Sequence, residues 1–330
     1  MRIIVTGAAG FIGSRLVSEL ASKEHEIFAV DSLNNYYSVD LKKKRVKKFL
    51  NYKSVKFEKN NLDNLKEARN FFRKTNADTV IHLAAQPGVR LESSKYIKDN
   101  LIGFSNVLIL SKEFNIRNFL YASSSSVYGD SSKSPFKESD LNILPNSFYG
   151  GTKLANEILT KSAFAGTNIR HRALRFFSVY GPWGRPDMAY FRLIASALSG
   201  TEFKLRGNGM IERDFTFIDD VVLMIYKLLL NLDENLTGFG DSVNVGGGRP
   251  HSMNYLIECI SNLLNKPINV HRVPGTSQDL QRTCADFEYL DKLVGDRPRI
   301  KLETGLIKTI NWAKEPEISK RILTWAKSVN

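Results

Sequence analysis

Residues 2–16, RIIVTGAAGFIGSRL, join an apolar β-branched run to three glycines and then to the start of an amphipathic helical pattern. Gly7, Gly10 and Gly13 stand in a G-x-x-G-x-x-G array. The order implies a strand, a tight turn and a helix whose first N–H groups face an anion above the turn. The first glycine permits the turn, the second lets a pyrophosphate approach the backbone, and the third lets helix and strand pack closely. Outward from this unit, EIFAVD reads as the next strand and closes on Asp31, 18 residues after Gly13. A carboxylate there accepts hydrogen bonds from adenosine ribose hydroxyls and repels a 2′-phosphate, which favours NAD over NADP. Strand, glycines, helix and acid in this order predict a dinucleotide-binding fold.

The same rhythm continues. VKFEK, TVIHLAA, NFLYASS and HRALRFF are further strand candidates, and NLKEARNFFRK, YIKDNLIGFSNVLILSKEF and FYGGTKLANEILTKSAF carry helical patterns between them. Strands alternating with helices predict an α/β architecture, a Rossmann-type doubly wound parallel sheet. After GPWGRPDMA the elements become shorter and mixed, apart from a strong helix following Asp219-Asp220. We therefore expect a nucleotide-binding domain over 1–180 and a smaller mixed α/β substrate-binding domain over 181–330. A segment near 215–245 is expected to return to the first domain.

Composition bounds the function. The 330 residues are 42% hydrophobic and 25% charged, ordinary for a globular chain, but the formal net charge is +13. Its lysines and arginines are scattered, and the densest cluster, Lys42-Lys43-Lys44-Arg45, falls on a helical pattern read as solvated surface. A small anionic substrate suits this charge, and nucleic acid is not an expected partner. Cys259 and Cys284 form no paired motif, so both are expected to be reduced in a cytoplasmic protein. The five histidines form no ligand-like spacing, so no metal is expected. The strand pattern beginning at Arg2 leaves no room for a signal peptide, and the apolar run from Val221 is too short to span a bilayer.

One pair carries chemistry. Tyr149 and Lys153 are four apart on a helical pattern, which places phenol and ammonium about 6 Å apart on one face. A nearby cation favours phenolate, so we expect Lys153 to lower the Tyr149 pKa and make a general base. Tyr52 with Lys56 repeats the spacing, but in a polar stretch with no flanking glycine or serine. Ser124, 25 residues before Tyr149, belongs to the run Ser123-Ser124-Ser125-Ser126 at the end of a strand. Ligands in parallel sheets sit beyond the carboxyl ends of strands, so these hydroxyls should face the cofactor crevice.

Taken together, the glycine array, Asp31, HLAA at 82–85, Asn100, the serine run, Tyr149-x-x-x-Lys153, RFFSVYGP and RDFTFIDD resemble the extended short-chain dehydrogenases/reductases. More narrowly, DSLNNYYSVDLK, AAQPGVR, YASSSSVYG and RFFSVYGPWGRPDMA resemble the nucleotide-sugar 4-epimerases, closest to the UDP-glucuronate 4-epimerase group. The resemblance runs from end to end. It implies that Tyr149 is the base, that Lys153 orients it and holds the nicotinamide ribose, and that Ser124 shares the substrate C4 hydroxyl. It implies NAD contacts from Phe11, Ile12, Asp31, Asn61, Leu62, Ala84, Ala85, Asn100 and Phe177. Ser125, Ser126 and Arg90 would serve the sugar, Ser178, Arg213 and Asp279 the UDP side, and Arg185 a C6 carboxylate. A homodimer paired through the helices around 96–114 and 148–164, and a role in polysaccharide biosynthesis, are implied as well.

The sequence departs from the group at a short stretch after Arg90, at Pro87, at Ser32, and in TSQD at 276–279. Relatives that eliminate water or decarboxylate carry acids just before Val-Tyr-Gly, where this chain has Ser125 and Ser126. Oxidation at C4 followed by re-reduction is then the simplest reaction. Three readings stay open from sequence: a uronate 4-epimerase, an epimerase of a neutral sugar such as UDP-glucose or UDP-N-acetylglucosamine, and a non-catalytic NAD-sensing protein.

Overall fold

The strand that precedes the glycines lies inside a seven-stranded sheet. The structure is a computed structural model describing residues 1–88, 91–130, 133–140, 142–232, 242–275, 280–296 and 299–329. The first six strands are β1 (Arg2–Thr6), β2 (Glu26–Asp31), β3 (Val55–Lys59), β4 (Thr79–His82), β5 (Asn118–Ser124) and β6 (Arg170–Phe176). They are followed by β7 (Ser178–Tyr180), β8 (Phe203–Arg206), β9 (Glu212–Phe217), β10 (Ser242–Val245), β11 (Pro250–Ser252) and β12 (Val270–Val273). The large sheet has the order β10-β6-β5-β4-β1-β2-β3, and every neighbouring pair is parallel. Reversed, this is the 3-2-1-4-5-6 order of a dinucleotide-binding sheet with one further strand.

The early helices are α1 (Phe11–Ser22), α2 (Val39–Phe49), α3 (Leu65–Thr75) and α4 (Ser93–Tyr96). The last of these widens through a π-helical turn, Ile97–Ile102, into α5 (Gly103–Glu113). Then come α6 (Phe148–Phe164), α7 (Ala189–Ser199), α8 (Ile218–Leu230), α9 (Met253–Leu264), α10 (Glu288–Val294), α11 (Leu302–Lys314) and α12 (Pro316–Lys327). Strand alternation explains why helices cover both faces. Ile3 and Val5 of β1 enter a buried cluster with Leu16 and Val17 of α1, whereas Ile4 enters another with Phe71 of α3 and Phe104 of α5. The first cluster continues through Ile225 of α8 to Trp312 and Trp325, so the C-terminal helices share the core of the sheet.

Beyond residue 180 the chain contributes β9, flanked by β7 and β11, and a β8–β12 pair. It then returns: β10 pairs with β6, and α8 packs beside α1. The expected solvated cluster on α2 is corrected by the structure at Lys42 and Arg45, while Lys43 is exposed. Lys42 and Arg45 are only 5% and 1% exposed. Arg45 donates to the carbonyls of Ala9, Trp183 and Gly184 and to the Tyr37 hydroxyl, so its charge is consumed in pinning two loops together. Lys42 donates to both oxygens of Asn34 and lies over the Tyr37 ring.

Candidate active site

The carboxyl ends of β1, β2, β4, β5 and β6 open onto one cleft of about 500 Å³. At its dinucleotide end Gly7 has φ +65°, and a Cβ there would lie 2.7 Å from the Ala84 amide nitrogen. A Cβ at Gly13 would lie 2.2 Å from the Gly7 carbonyl oxygen, so the turn excludes any side chain. Helix α1 starts at Phe11 with Gly10 as its N-cap, no side-chain cap and no acid in its first turn. Its leading N–H groups therefore face the cleft without an internal anion, which fits a pyrophosphate. Asp31 ends β2 and accepts from the backbone N–H of Ala9 (3.0 Å) and Leu33 (2.7 Å). Burial pushes its carboxyl up, opposed by the Leu33 hydrogen bond and by the Lys42 charge.

Phe11, Ile12, Asn61, Leu62, Ala84, Ala85 and Phe177 all line this cleft, whereas Asn100 does not. The π-helical turn carries Asn100 behind the wall, where its amide accepts from Gln86 N–H (2.7 Å) and donates to the Gln86 carbonyl (3.1 Å) and the Thr152 hydroxyl (3.2 Å). Asn100 thus shapes the β4 loop from outside the cleft.

At the other end, Ser124, Ser125, Ser126, Tyr149, Lys153, Ser178, Arg185 and Arg213 come together. Ser147 caps α6 by accepting from Gly150 N–H at 3.1 Å, which sets Tyr149 in the first turn. The small residue beside it is required, because a Cβ on Gly150 would meet the Ser126 carbonyl at 2.5 Å. Lys153 Nζ lies 5.9 Å from the Tyr149 ring centre and donates to the Ala122 carbonyl at 2.9 Å. Ser124 Oγ donates to Ser126 Oγ (3.2 Å) and accepts from Ser126 N–H (3.1 Å).

The electrostatics correct one expectation. Burial pushes the Tyr149 phenol up, and the charge that opposes it is Arg185, aided by the Ser124 hydroxyl. Lys153 is committed to the Ala122 carbonyl; burial brings its own pKa down to about 8, with the Glu157 charge opposing. Arg185 both lines the cleft and makes an ion pair with Asp187 in its own loop. Its Nε and Nη2 donate to Asp187 at 3.0 and 2.5 Å, and the Tyr36 hydroxyl donates to the same carboxylate at 3.2 Å. Burial alone would raise the Asp187 carboxyl, but the Arg185 charge overcomes it and holds it low. Arg213, on β9, donates to the Leu280 carbonyl at 2.7 Å. Tyr52 is exposed in the turn ahead of β3, away from the cleft. Arg90 and Asp279, with the TSQD segment, lie outside the described residues.

Sequence reasoning missed Lys42 and Tyr36 as residues of the cleft. Lys42 and Arg45 share the face of α2 that buries Val46 and Phe49, a spacing that could have marked them as inward.

The profile of the NAD dependent epimerase/dehydratase family matches residues 3–246. The chain belongs to that family. It is 36% identical to Protein CapI of Staphylococcus aureus, over 96% of this chain and 99% of that one. It is 35% identical to the UDP-glucuronate 4-epimerase of Thermodesulfobacterium geofontis, over 94% and 96% of the two chains. The crystal structure of UDP-glucuronic acid 4-epimerase from Bacillus cereus, in complex with UDP-glucuronic acid and NAD, superposes with a TM-score of 0.87. That match is 30% identical and covers 95% of this chain and 99% of the other. As in the epimerase/dehydratase family at large, NAD is the cofactor, and the glycine turn, the open α1 N-terminus and Asp31 fit it. Among the described residues no group of three His, Cys, Asp or Glu could hold a metal ion, and no helix is long and apolar enough to cross a membrane.

The Asp31 carboxylate makes the choice of dinucleotide testable. Asp31→Ala with Ser32→Arg is expected to shift binding towards NADP by roughly 10- to 100-fold, since a repulsion goes and a charge-assisted contact is gained. Fluorescence titration with both nucleotides reads this. An unmodified protein binding NADP more tightly than NAD would contradict it.

Proposed function

We propose that the protein interconverts UDP-glucuronate and UDP-galacturonate by 4-epimerisation through a transient 4-keto sugar. The observation that carries this reading is the meeting of Ser124, Tyr149 and Lys153 with Arg185 in one cleft. Bound NAD supplies a reversible hydride acceptor. The residues of the chain handle the proton and the charges. Tyr149 takes the C4 hydroxyl proton and returns it, Ser124 shares that hydroxyl, and Lys153 would orient Tyr149 and hold the nicotinamide ribose. Ser125 and Ser126 offer hydrogen bonds without a second acid, which leaves the sugar no route to dehydration. Arg213 and Ser178 would take the diphosphate side, and Arg90 and Asp279 are proposed to complete the sugar and nucleotide contacts. We assign cofactor binding to 1–180 and sugar-nucleotide binding mainly to 181–330.

The test is to incubate the protein separately with UDP-glucuronate and UDP-glucose and identify products by NMR. UDP-galacturonate should form from the first, with little conversion of the second. Equal turnover of UDP-glucose would transfer the reading to a neutral-sugar epimerase. No turnover of either, with NAD still bound, would point to an NAD-sensing protein.

We further propose a homodimer. Ile97, Ile102 and Ile109 on the helix of 93–113, and Phe148, Ile158 and Leu159 on α6, are exposed apolar side chains on neighbouring helices. Burying such a face against its own copy would make a four-helix contact. Light scattering at micromolar concentration should give twice the chain mass of 37.3 kDa, and a monomer would contradict this. Both cysteines are free and buried, which suits the cytoplasmic location we propose.

A further inference from the structure

Ser123, the first of the four serines, makes a different bond from its neighbours. Its Oγ donates to Glu157 Oε1 at 2.5 Å, inside the protein. Arg175 grips that glutamate with two further bonds, Nε to Oε1 at 3.0 Å and Nη2 to Oε2 at 2.8 Å. The pair is 5% and 4% exposed. Arg175 Nη1 also donates to the Tyr128 hydroxyl (2.9 Å), which donates to Asn244 Oδ1 (2.7 Å) on β10. The proposed mechanism uses none of these groups.

Consecutive residues of β5 are thus tied to residues one turn apart on α6. Ala122 accepts from Lys153, and Ser123 donates to Glu157. With one tie the helix could slide or rotate against the strand; two ties fix both motions. The residue after Ser123 is Ser124, and one turn before Lys153 is Tyr149. We propose that the Glu157–Arg175 pair, with Ser123, is a positioning device that sets the spacing between the Ser124 and Tyr149 hydroxyls. Stability gives no reason for it, since a buried ion pair is often replaceable by apolar residues of similar volume without loss. Reacting groups, in contrast, lose about 10²-fold in rate for a misplacement of about 1 Å.

This inference rests on the proposed roles of Tyr149 and Ser124, so the experiment includes Tyr149→Phe as its reference. The main variant is Glu157→Leu with Arg175→Met, which removes the pair and keeps the volume. We expect a folded protein that retains NAD and a UDP-sugar KM within about threefold, with kcat lowered roughly 10- to 100-fold. Ser123→Ala keeps the pair but cuts its tie to β5; the protein should stay folded, with kcat about 3- to 10-fold lower at unchanged KM. If Tyr149→Phe is inactive and the folded double variant keeps full kcat, the positioning role is overturned while the site reading survives. If Tyr149→Phe itself keeps full kcat, the site reading falls first. Should the double variant fail to fold, Ser123→Ala decides: full kcat there overturns the inference, and a selective loss of kcat supports it.

Discussion

Replacing Tyr149 by phenylalanine is expected to lower turnover by about 10²–10⁴-fold, with fold and NAD content unchanged. The loss follows from geometry. Tyr149 sits in the capped first turn of α6 and its ring packs beside Tyr96, a contact that removing one oxygen leaves in place. What disappears is the hydroxyl that bonds Ser124, on a ring whose centre lies 5.9 Å from Lys153 Nζ. Tyr52→Phe, at the repeated spacing, should change turnover by less than about twofold, since its side chain lies in an exposed turn. The pH profile of kcat/KM carries the same assignment. Burial raises the phenol, so the form able to take a proton grows as pH rises. Lys153 is charged below about 8 and loses that charge as pH rises through it, so the increase should stop and reverse near there. A profile that instead falls steadily from acid to neutral pH, or an active Tyr149→Phe variant, would refute the assignment.

How much of this was legible beforehand depends on the range of the interaction. The glycine turn, Asp31, the β5 strand over NFLYASS and the helix FYGGTKLANEILTKSAF all appear where local pattern placed them, because each signal lies within one element. The parallel sheet followed from alternation, and β10 extends it by pairing with β6. What pattern could not resolve were side chains whose partners are distant in sequence. Arg45 looks solvated in KKKR, yet its partners at 183 and 184 are more than a hundred residues away. The sign of the Tyr149 shift was misjudged for the same reason. Spacing reveals the helical neighbour Lys153, while burial and the Arg185 charge, which dominate, come from the folded cleft. The serine run divides along this line too. Ser124 to Ser126 face the cleft as their strand-end position implied, whereas the inward bond of Ser123 depends on Glu157 and Arg175, named by no local pattern.

Arg185→Leu is expected to lower turnover of UDP-glucuronate by roughly 10²-fold or more and to release CO₂ from part of the substrate consumed. Oxidising glucuronate at C4 creates a β-keto acid, and such acids lose CO₂ when the bond from C5 to the carboxylate aligns with the carbonyl. An epimerase must therefore hold that carboxylate still. Arg185 can do so because it is itself held: Asp187 occupies its Nε and Nη2, Tyr36 braces Asp187, and Arg45 pins the carbonyls of Trp183 and Gly184 just before it. Among the described residues nothing bonds Nη1, which leaves it for a ligand, and a charge-assisted contact of about 1.5–3 kcal/mol corresponds to roughly 10- to 100-fold. Leucine removes that contact and also leaves the Asp187 carboxylate, buried and held low by Arg185, without its cation, adding repulsion towards a uronate. Arg185→His should fail in the same direction, because an imidazole cannot bond Asp187 twice and still present a donor. NMR of the products and a CO₂ assay read both effects. If the leucine variant keeps full activity on UDP-glucuronate, Arg185 is only the loop ion pair with Asp187, and recognition of the carboxylate lies with other residues of the cleft.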